Sequence, residues 1–494
     1  MTFNSFSFLG FFAVVLLAVS VVGRATKGAA TRNILLLAAS YCFYGSLSWT
    51  FLPLLMYVSL LTYGFGLALE RHEGTHRKAL VAANTVLTLL PLLFYKYFEF
   101  SLASIDTAFG LSLGERLGGP VLSSVEGLVL SSVYPEPGRG EGLVVPVGLS
   151  FFSLQALSYT IDIHRRKIHA TTNPIDVALF VGFFPTILSG PIERGRNLLP
   201  QIAENRPIGA RQAMSGMTLF VWGVFKKAVV ADRLGQYVDW AYDTAEYQNG
   251  TTLAIAALLY SFQIYCDFSG YSDMAVGIAR AIGFDLMQNF RFPYFAHTMK
   301  DFWHRWHTSL TGWFTEYVYI PLGGSRVGSR RRWALNISTV FLLSGIWHGA
   351  AWNFLLWGII HAILYLAEHM AGLQKPPQEG RWKAARQALV LAMATLAWIF
   401  FRMADTSRAW MVVGKIIGTP PSTPSWGIST FATMASLALL ALLISCDWLL
   451  CRHKLRLDDI GQAFALKNLL FLVGLLLGIS LFSVPGESFV YFQF

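Results

Sequence analysis

The stretch Tyr260-Ser261-Phe262-Gln263-Ile264-Tyr265-Cys266-Asp267-Phe268-Ser269-Gly270-Tyr271-Ser272-Asp273 sets two aspartates into otherwise apolar sequence. The same mixture returns in Asp301-Phe302-Trp303-His304-Arg305-Trp306-His307 and in Ser344-Gly345-Ile346-Trp347-His348-Gly349-Ala350-Ala351-Trp352-Asn353. Each lies within or against an apolar run of the length a bilayer-spanning helix needs, about 20 residues. Ionisable groups at that depth are costly, so each is a functional candidate. Residues from about 260 to 361 are therefore read as the working core, and the rest as its frame.

Of the 494 residues, 54% are hydrophobic and only 13% charged. Apolar runs of spanning length recur almost throughout, and no polar stretch is long enough to fold alone. This predicts an all-α polytopic membrane protein, a single membrane domain over 1–494. Within it, 1–145 holds N-terminal spans and an outer loop, 146–372 a core with broken or re-entrant helices, and 373–494 the C-terminal spans. The net charge of +10, from 38 basic and 28 acidic residues, could suggest a nucleic-acid partner. The basic residues instead stand between apolar runs, where the positive-inside rule puts them, so nucleic acid is excluded. The excess also suits anionic lipid headgroups or an anionic cosubstrate such as coenzyme A. Four cysteines show no ligand spacing. Cys42, Cys266 and Cys446 are expected to be small core residues, and Cys451, before Arg452, the exposed one.

Residues 5–23 lack a basic lead and a cleavage site, and are read as a retained first span. Arg24, Lys27 and Arg32 then mark a cytoplasmic loop. Spans at about 33–49, 50–69 and 79–104 follow, and the loop 106–145, with two arginines against five acidic residues, is expected outside. Residues 146–163 return to the basic run His164–Lys167. Segments at about 175–192, 214–231 and 251–283 are interrupted by Gly, Pro, Asp and Lys, with Phe225-Lys226-Lys227 breaking one of them. Irregular backbone at membrane depth faces protein or a watery cavity, so a cavity is expected here. The basic, aromatic stretch 286–333 suits short helices in the cytoplasmic interface. Beyond it come a span at about 385–402, a Pro-rich outer loop 405–428, and spans at 430–450 and 467–484. A basic loop with Arg452, Lys454, Arg456 and Lys467 separates the last two.

His348 heads the chemical candidates. Arg330–Arg332 mark the cytoplasmic surface, and fifteen residues of helix from Trp333 rise roughly 22 Å at ~1.5 Å each. The hydrocarbon core is about 30 Å thick, so His348 lies inside it. A neutral imidazole there is suited to take a proton from a hydroxyl; the competing reading is a structural histidine bonded between helices. His304 and His307 are spaced to share a helix face with Asp301. A metal set from these three is conceivable but unsupported by further ligands, and a face touching an anionic donor with Arg305 is preferred. Asp267 and Asp273 are either a carboxylate pair or ties for a broken helix, pairing with a Lys or Arg of a neighbour. No Gly-x-Ser-x-Gly elbow and no phosphate loop is present.

Taken in order, these segments resemble the membrane-bound O-acyltransferase family, in the branch of the alginate O-acetylation membrane subunit. The motifs are Val145-Pro146-Val147-Gly148, Ser158-Tyr159-Thr160-Ile161-Asp162, Gly190-Pro191-Ile192, Phe225-Lys226-Lys227 and Ala231-Asp232-Arg233-Leu234. They continue with Asp267–Asp273, Phe302-Trp303, Trp306-His307, Ile320–Gly324, Trp347-His348-Gly349 and the closing Tyr491-Phe492-Gln493-Phe494. His304 stands where that branch has an arginine, and Thr315-Glu316 replaces its Arg-Asp.

The resemblance implies a helical funnel with His348 at its neck and His307 as a second family histidine. It implies an O-acyltransferase that takes an acyl group, expected to be acetyl, from a cytoplasmic thioester such as acetyl-CoA. The group passes toward hydroxyls of an exported polysaccharide. By the same analogy the chain sits in a bacterial inner membrane and works with an extracytoplasmic SGNH-type acetyltransferase or relay protein. No bound cofactor and no metal are expected. Asp267, Arg305, Asn353 and Trp347 are candidate substrate-binding residues, the last two as oxyanion stabilisers by type alone. Ser189–Arg194 reads more like a teichoic-acid D-alanylation subunit, which keeps D-alanyl transfer open. A lipid or protein acyltransferase also stays open, as does an acyl-group transporter without chemistry of its own.

Overall fold

The structure is a computed structural model that describes residues 1–25, 28–112, 144–376, 380–427, 430–453, 466–484 and 489. Most of the outer loop expected at 106–145, the basic residues Lys27, Lys454 and Arg456, and the closing Tyr491–Phe494 lie outside the described residues. The described residues form helices and no strands. Among the described residues, seven helices are long and apolar enough to cross a membrane. The chain is thus a multi-pass, all-α integral membrane protein. It divides into two compact units, Met1–Gly209 with Ala279–Leu286, and Ala210–Ile278 with Met287–Phe494.

The first unit contains α1 (Phe6–Ala25), α2 (Ala30–Gly45), α3 (Leu52–Arg71), α4 (Gly74–Phe109), α5 (Leu149–His164), α6 (Pro174–Gly182) and α7 (Gly195–Ala203). In α4 the interior Pro91, which lacks an N–H, is followed by a widened π-turn at Leu93–Tyr97. Arg32, expected in a loop, is instead 2% exposed within α2. Its guanidinium donates to Asn33 Oδ1 and to the carbonyls of Gln201 and Ile202, and Asn33 donates to Asp176. Charge counting misplaced it because a guanidinium with a full set of acceptors can be buried. Between α6 and α7 the backbone is irregular and wholly buried. Gly148 sits against it with φ +79°, and a Cβ there would fall 2.2 Å from the Ile187 carbonyl oxygen. This irregular segment packs against protein, and none of the interrupted segments at 175–192, 214–231 and 251–283 lines the cavity described below, contrary to the expectation of a cavity there.

The second unit contains α8 (Ala210–Asp243), α9 (Gly250–Ala281, its last three residues counted with the first unit), the short α10 (Met299–Trp303) and α11 (Thr308–Phe314), then α12 (Arg330–His348), α13 (Trp352–Met370), α14 (Gly380–Arg402), α15 (Thr406–Gly418), α16 (Thr430–His453) and α17 (Leu466–Phe482). Three expectations change here. Phe225-Lys226-Lys227 does not break its helix; α8 continues through a π-turn at Phe225–Ala231. α9 is unbroken over 32 residues, so Asp267 and Asp273 are not caps. The first part of the expected outer loop 405–428 is helical, capped by Asp405 on the amides of Ser407 and Arg408. Cys42, not Cys451, is the exposed cysteine, because one face of α2 points outward.

Glycines bring α8 and α9 to backbone contact. A Cβ on Gly223 would lie 2.5 Å from the Gly270 oxygen, and one on Gly277 2.6 Å from the Gly216 oxygen. Small residues are what permit such close crossings in membranes. That proximity lets Lys227 reach Asp267 at 2.5 Å and Asp232 at 2.8 Å, while Lys226 reaches Asp273 at 2.5 Å. The pairing of both aspartates with neighbouring lysines is the second of the two readings made from sequence.

Candidate active site

A cavity of about 320 Å³ lies within the second unit. One wall is a single stripe of α12, Trp333, Ile337, Phe341, Ser344 and His348, recurring every three or four residues. Its other walls come from α10, α11 and the cavity-facing residues Tyr365 and His369 near the end of α13. The stripe runs from the end that follows Arg330–Arg332 to the last residue of α12. His348 thus ends the stripe, roughly 22 Å along the helix from Trp333. Lys300, His304 and His369 line the cavity as well, giving it basic groups.

His348 is 5% exposed. α12 ends there because Gly349 takes extended backbone and the chain turns at once into α13. The two helices touch closely, with a Cβ on Gly345 falling 2.4 Å from the Phe354 oxygen and one on Gly358 2.5 Å from the Phe341 oxygen. The imidazole is packed edge-on by Trp347, Trp357 and Phe401 at 5.0, 5.1 and 5.2 Å between ring centroids.

His307 also lines the cavity and is 1% exposed. It does not share a helix face with Asp301, because α10 ends at Trp303 and His307 adopts φ +42°, ψ 54° ahead of α11. A left-handed residue that is not glycine is held by its surroundings. Here Asn289 accepts from the Thr308 amide at 2.9 Å through its carbonyl oxygen, and its side-chain amide donates to Ser272. The His307 ring packs on Phe268 at 4.6 Å and on Trp347 at 6.0 Å. Trp347 therefore touches both cavity histidines.

The other candidates are engaged by pairing or packing, Trp347 against the two cavity histidines themselves. Asp267 is paired with Lys227, and Arg305 with Asp301 at 2.7 Å. Asn353 donates its amide to the Phe400 oxygen at 3.1 Å, and Trp347 is packed between rings. None of these four lines the cavity. Their proximity to His348 and His307 in sequence does not carry over, because helix faces divide neighbours between the cavity and the packed interior. No group of three or more His, Cys, Asp or Glu among the described residues could hold a metal, and Asp301, His304 and His307 do not converge as one. Partial burial, and then nearby Lys300, lower the pKa of His304.

Sequence reading missed Lys300, Tyr365 and His369. It also missed the buried Glu368, whose oxygens accept from the Met299 amide at 3.0 Å and which pairs with Arg386 at 3.5 Å. Only the α12 stripe carried a usable signal.

A polytopic helical membrane protein thus carries two buried histidines in one cavity, with basic groups in its lining. Comparison with known proteins gives the class a name: residues 36–405 match the membrane-bound O-acyltransferase family, MBOAT, and the chain belongs to that family of acyl-transferring enzymes. It is 34% identical over 438 residues to the probable alginate O-acetylase AlgI of Pseudomonas putida, covering 87% of this chain and 82% of that protein. It is 30% identical over 419 residues to the peptidoglycan O-acetyltransferase of Helicobacter pylori, covering 78% and 73%. A teichoic acid D-alanyltransferase of Bacillus subtilis is 26% identical over 262 residues, covering 50% and 66%.

Proposed function

We propose that this enzyme moves an acetyl group from a cytoplasmic thioester, acetyl-CoA in the simplest case, to hydroxyls destined for an exported polysaccharide, with His348 as general base. The observation that carries this reading is one cavity holding both His348 and His307 together with the cationic Lys300. The thioester enters past the basic lining, from the side of Arg330–Arg332. His348 takes the proton of the acceptor hydroxyl, and the oxygen attacks the thioester carbonyl. The tetrahedral intermediate then collapses with breakage of the C–S bond. The departing thiolate recovers the proton from His348, leaving an ester and a free thiol. His307 supplies a ring N–H to the carbonyl oxygen as negative charge develops on it, a role that Asn353, spent on the Phe400 oxygen, does not fill. The enclosing rings exclude water, so hydrolysis loses to transfer.

The names of the two O-acetylating relatives support a polysaccharide acceptor and acetyl over D-alanyl. Placement in a bacterial cytoplasmic membrane suits the seven apolar helices among the described residues and the bacterial sources of these relatives, and an extracytoplasmic transferase of the SGNH type as partner rests on the family resemblance alone. Deleting the gene and measuring ester-linked acetate on exported polysaccharide tests the reading. The acetate is expected to vanish and to return with the wild-type gene but not with His348→Ala. Unchanged acetate in the deletion strain would refute it.

A further inference from the structure

We infer that the aromatic wall behind His348, formed by Trp347, Trp357, Phe401 and Phe354, fixes the transferred acyl group at two carbons. This rests on His348 being the place of transfer. The α12 stripe ends at His348, and none of the four rings lines the cavity. Three of them stand at 75–85° to the imidazole with centroids 5.0–5.2 Å away. Past the end of α12 the space is filled. A Cβ added to Gly349 would fall 2.0 Å from the Phe354 ring, which itself packs on Phe401 at 5.2 Å.

The wall does not yield easily. Trp357 and Phe401 are 0% and 1% exposed, and both rest on Trp398, at 5.8 and 5.3 Å. Inserting methylenes into such packing forces neighbouring rings off their positions. The direction of the acyl group follows from the thioester itself. Its sulfur leads back along the cavity, so the substituent across the carbonyl carbon points away from the entrance. A methyl group ends before the rings, whereas each added methylene must displace them. One methylene of misfit is ordinarily worth a factor of about 10–200 in specificity.

The test compares acetyl-, propionyl- and butyryl-CoA in thiol release with the polysaccharide acceptor, for wild type, Phe401→Ala and the milder Phe401→Leu. Wild type is expected to slow at least about tenfold per added methylene, and Phe401→Ala to raise the butyryl-to-acetyl ratio about tenfold or more. If Phe401→Ala fails to accumulate, Phe401→Leu reads the same ratio in the same direction. Equal use of the three thioesters by wild type would overturn the inference. So would a wild-type ratio in either active variant. Acceptor-independent thiol release that rises while the ratio stays fixed would also overturn it, marking the rings as a barrier to water only. Silence of wild type toward every thioester would instead refute the transfer reading itself.

Discussion

Lys227 binds two buried carboxylates, Asp267 at 2.5 Å and Asp232 at 2.8 Å, and all three side chains are at most 5% exposed. Lys227→Met keeps the length of the side chain but takes away the cation that the two carboxylates share. Breaking a buried pair in this way costs about 3–5 kcal/mol, since the orphaned charge cannot reach water. Asp267→Asn keeps the shape and leaves Lys227 paired with Asp232, so its cost is the charge assistance of one hydrogen bond, about 1.5–3 kcal/mol. The double variant removes the cation together with one of the stranded charges, and its cost should fall short of the sum by about 1–3 kcal/mol. Unfolding in mild detergent reads these differences, with the donor KM measured on the same samples. Stability should fall in the order given while the KM of Asp267→Asn stays within about twofold of wild type. A tenfold rise in that KM with unchanged stability would refute the argument and return Asp267 to the substrate.

Gly349→Ala places a Cβ 2.0 Å from the Phe354 ring beside His348; a displacement of about 1 Å there should cut transfer about 10²-fold, measured as kcat on protein that still purifies intact. Glu368→Ala uncaps α10, whose Lys300 and Trp303 line the cavity, and should raise the donor KM about tenfold with little change in kcat. His304, its pKa lowered by burial and Lys300, is neutral from pH 7 to 9 and leaves the donor KM flat there. Below its pKa it gains charge, so the KM for an anionic donor should fall, and His304→Ala should abolish that acid-side gain in steady-state kinetics.

Much of the second unit was legible because its signals are local. The basic triplet at 330–332 sets a register from which His348 follows by helical rise alone. Trp333, Ile337, Phe341, Ser344 and His348 carry the cavity face in their spacing, although only His348 was singled out from the sequence. Other features depend on partners distant in sequence. Arg32 looked like a loop charge because its acceptors, the carbonyls of Gln201 and Ile202, are about 170 residues away. Gly270 looked like a break in α9 and is instead where α8 crosses it. His307 looked like the next turn after Asp301 because spacing cannot reveal a left-handed residue. Asp267, Arg305, Asn353 and Trp347 were chosen for their neighbours in the chain, and each is engaged by packing or pairing outside the cavity.

The role of His348 as the base is read most directly from CoA release by the purified, detergent-solubilised protein with acetyl-CoA and acceptor, wild type beside His348→Ala. A general base contributes about 10²–10⁴-fold. A loss of that size in acceptor-dependent release is expected, with the variant eluting and melting like wild type. Full release by a well-folded His348→Ala protein would contradict it.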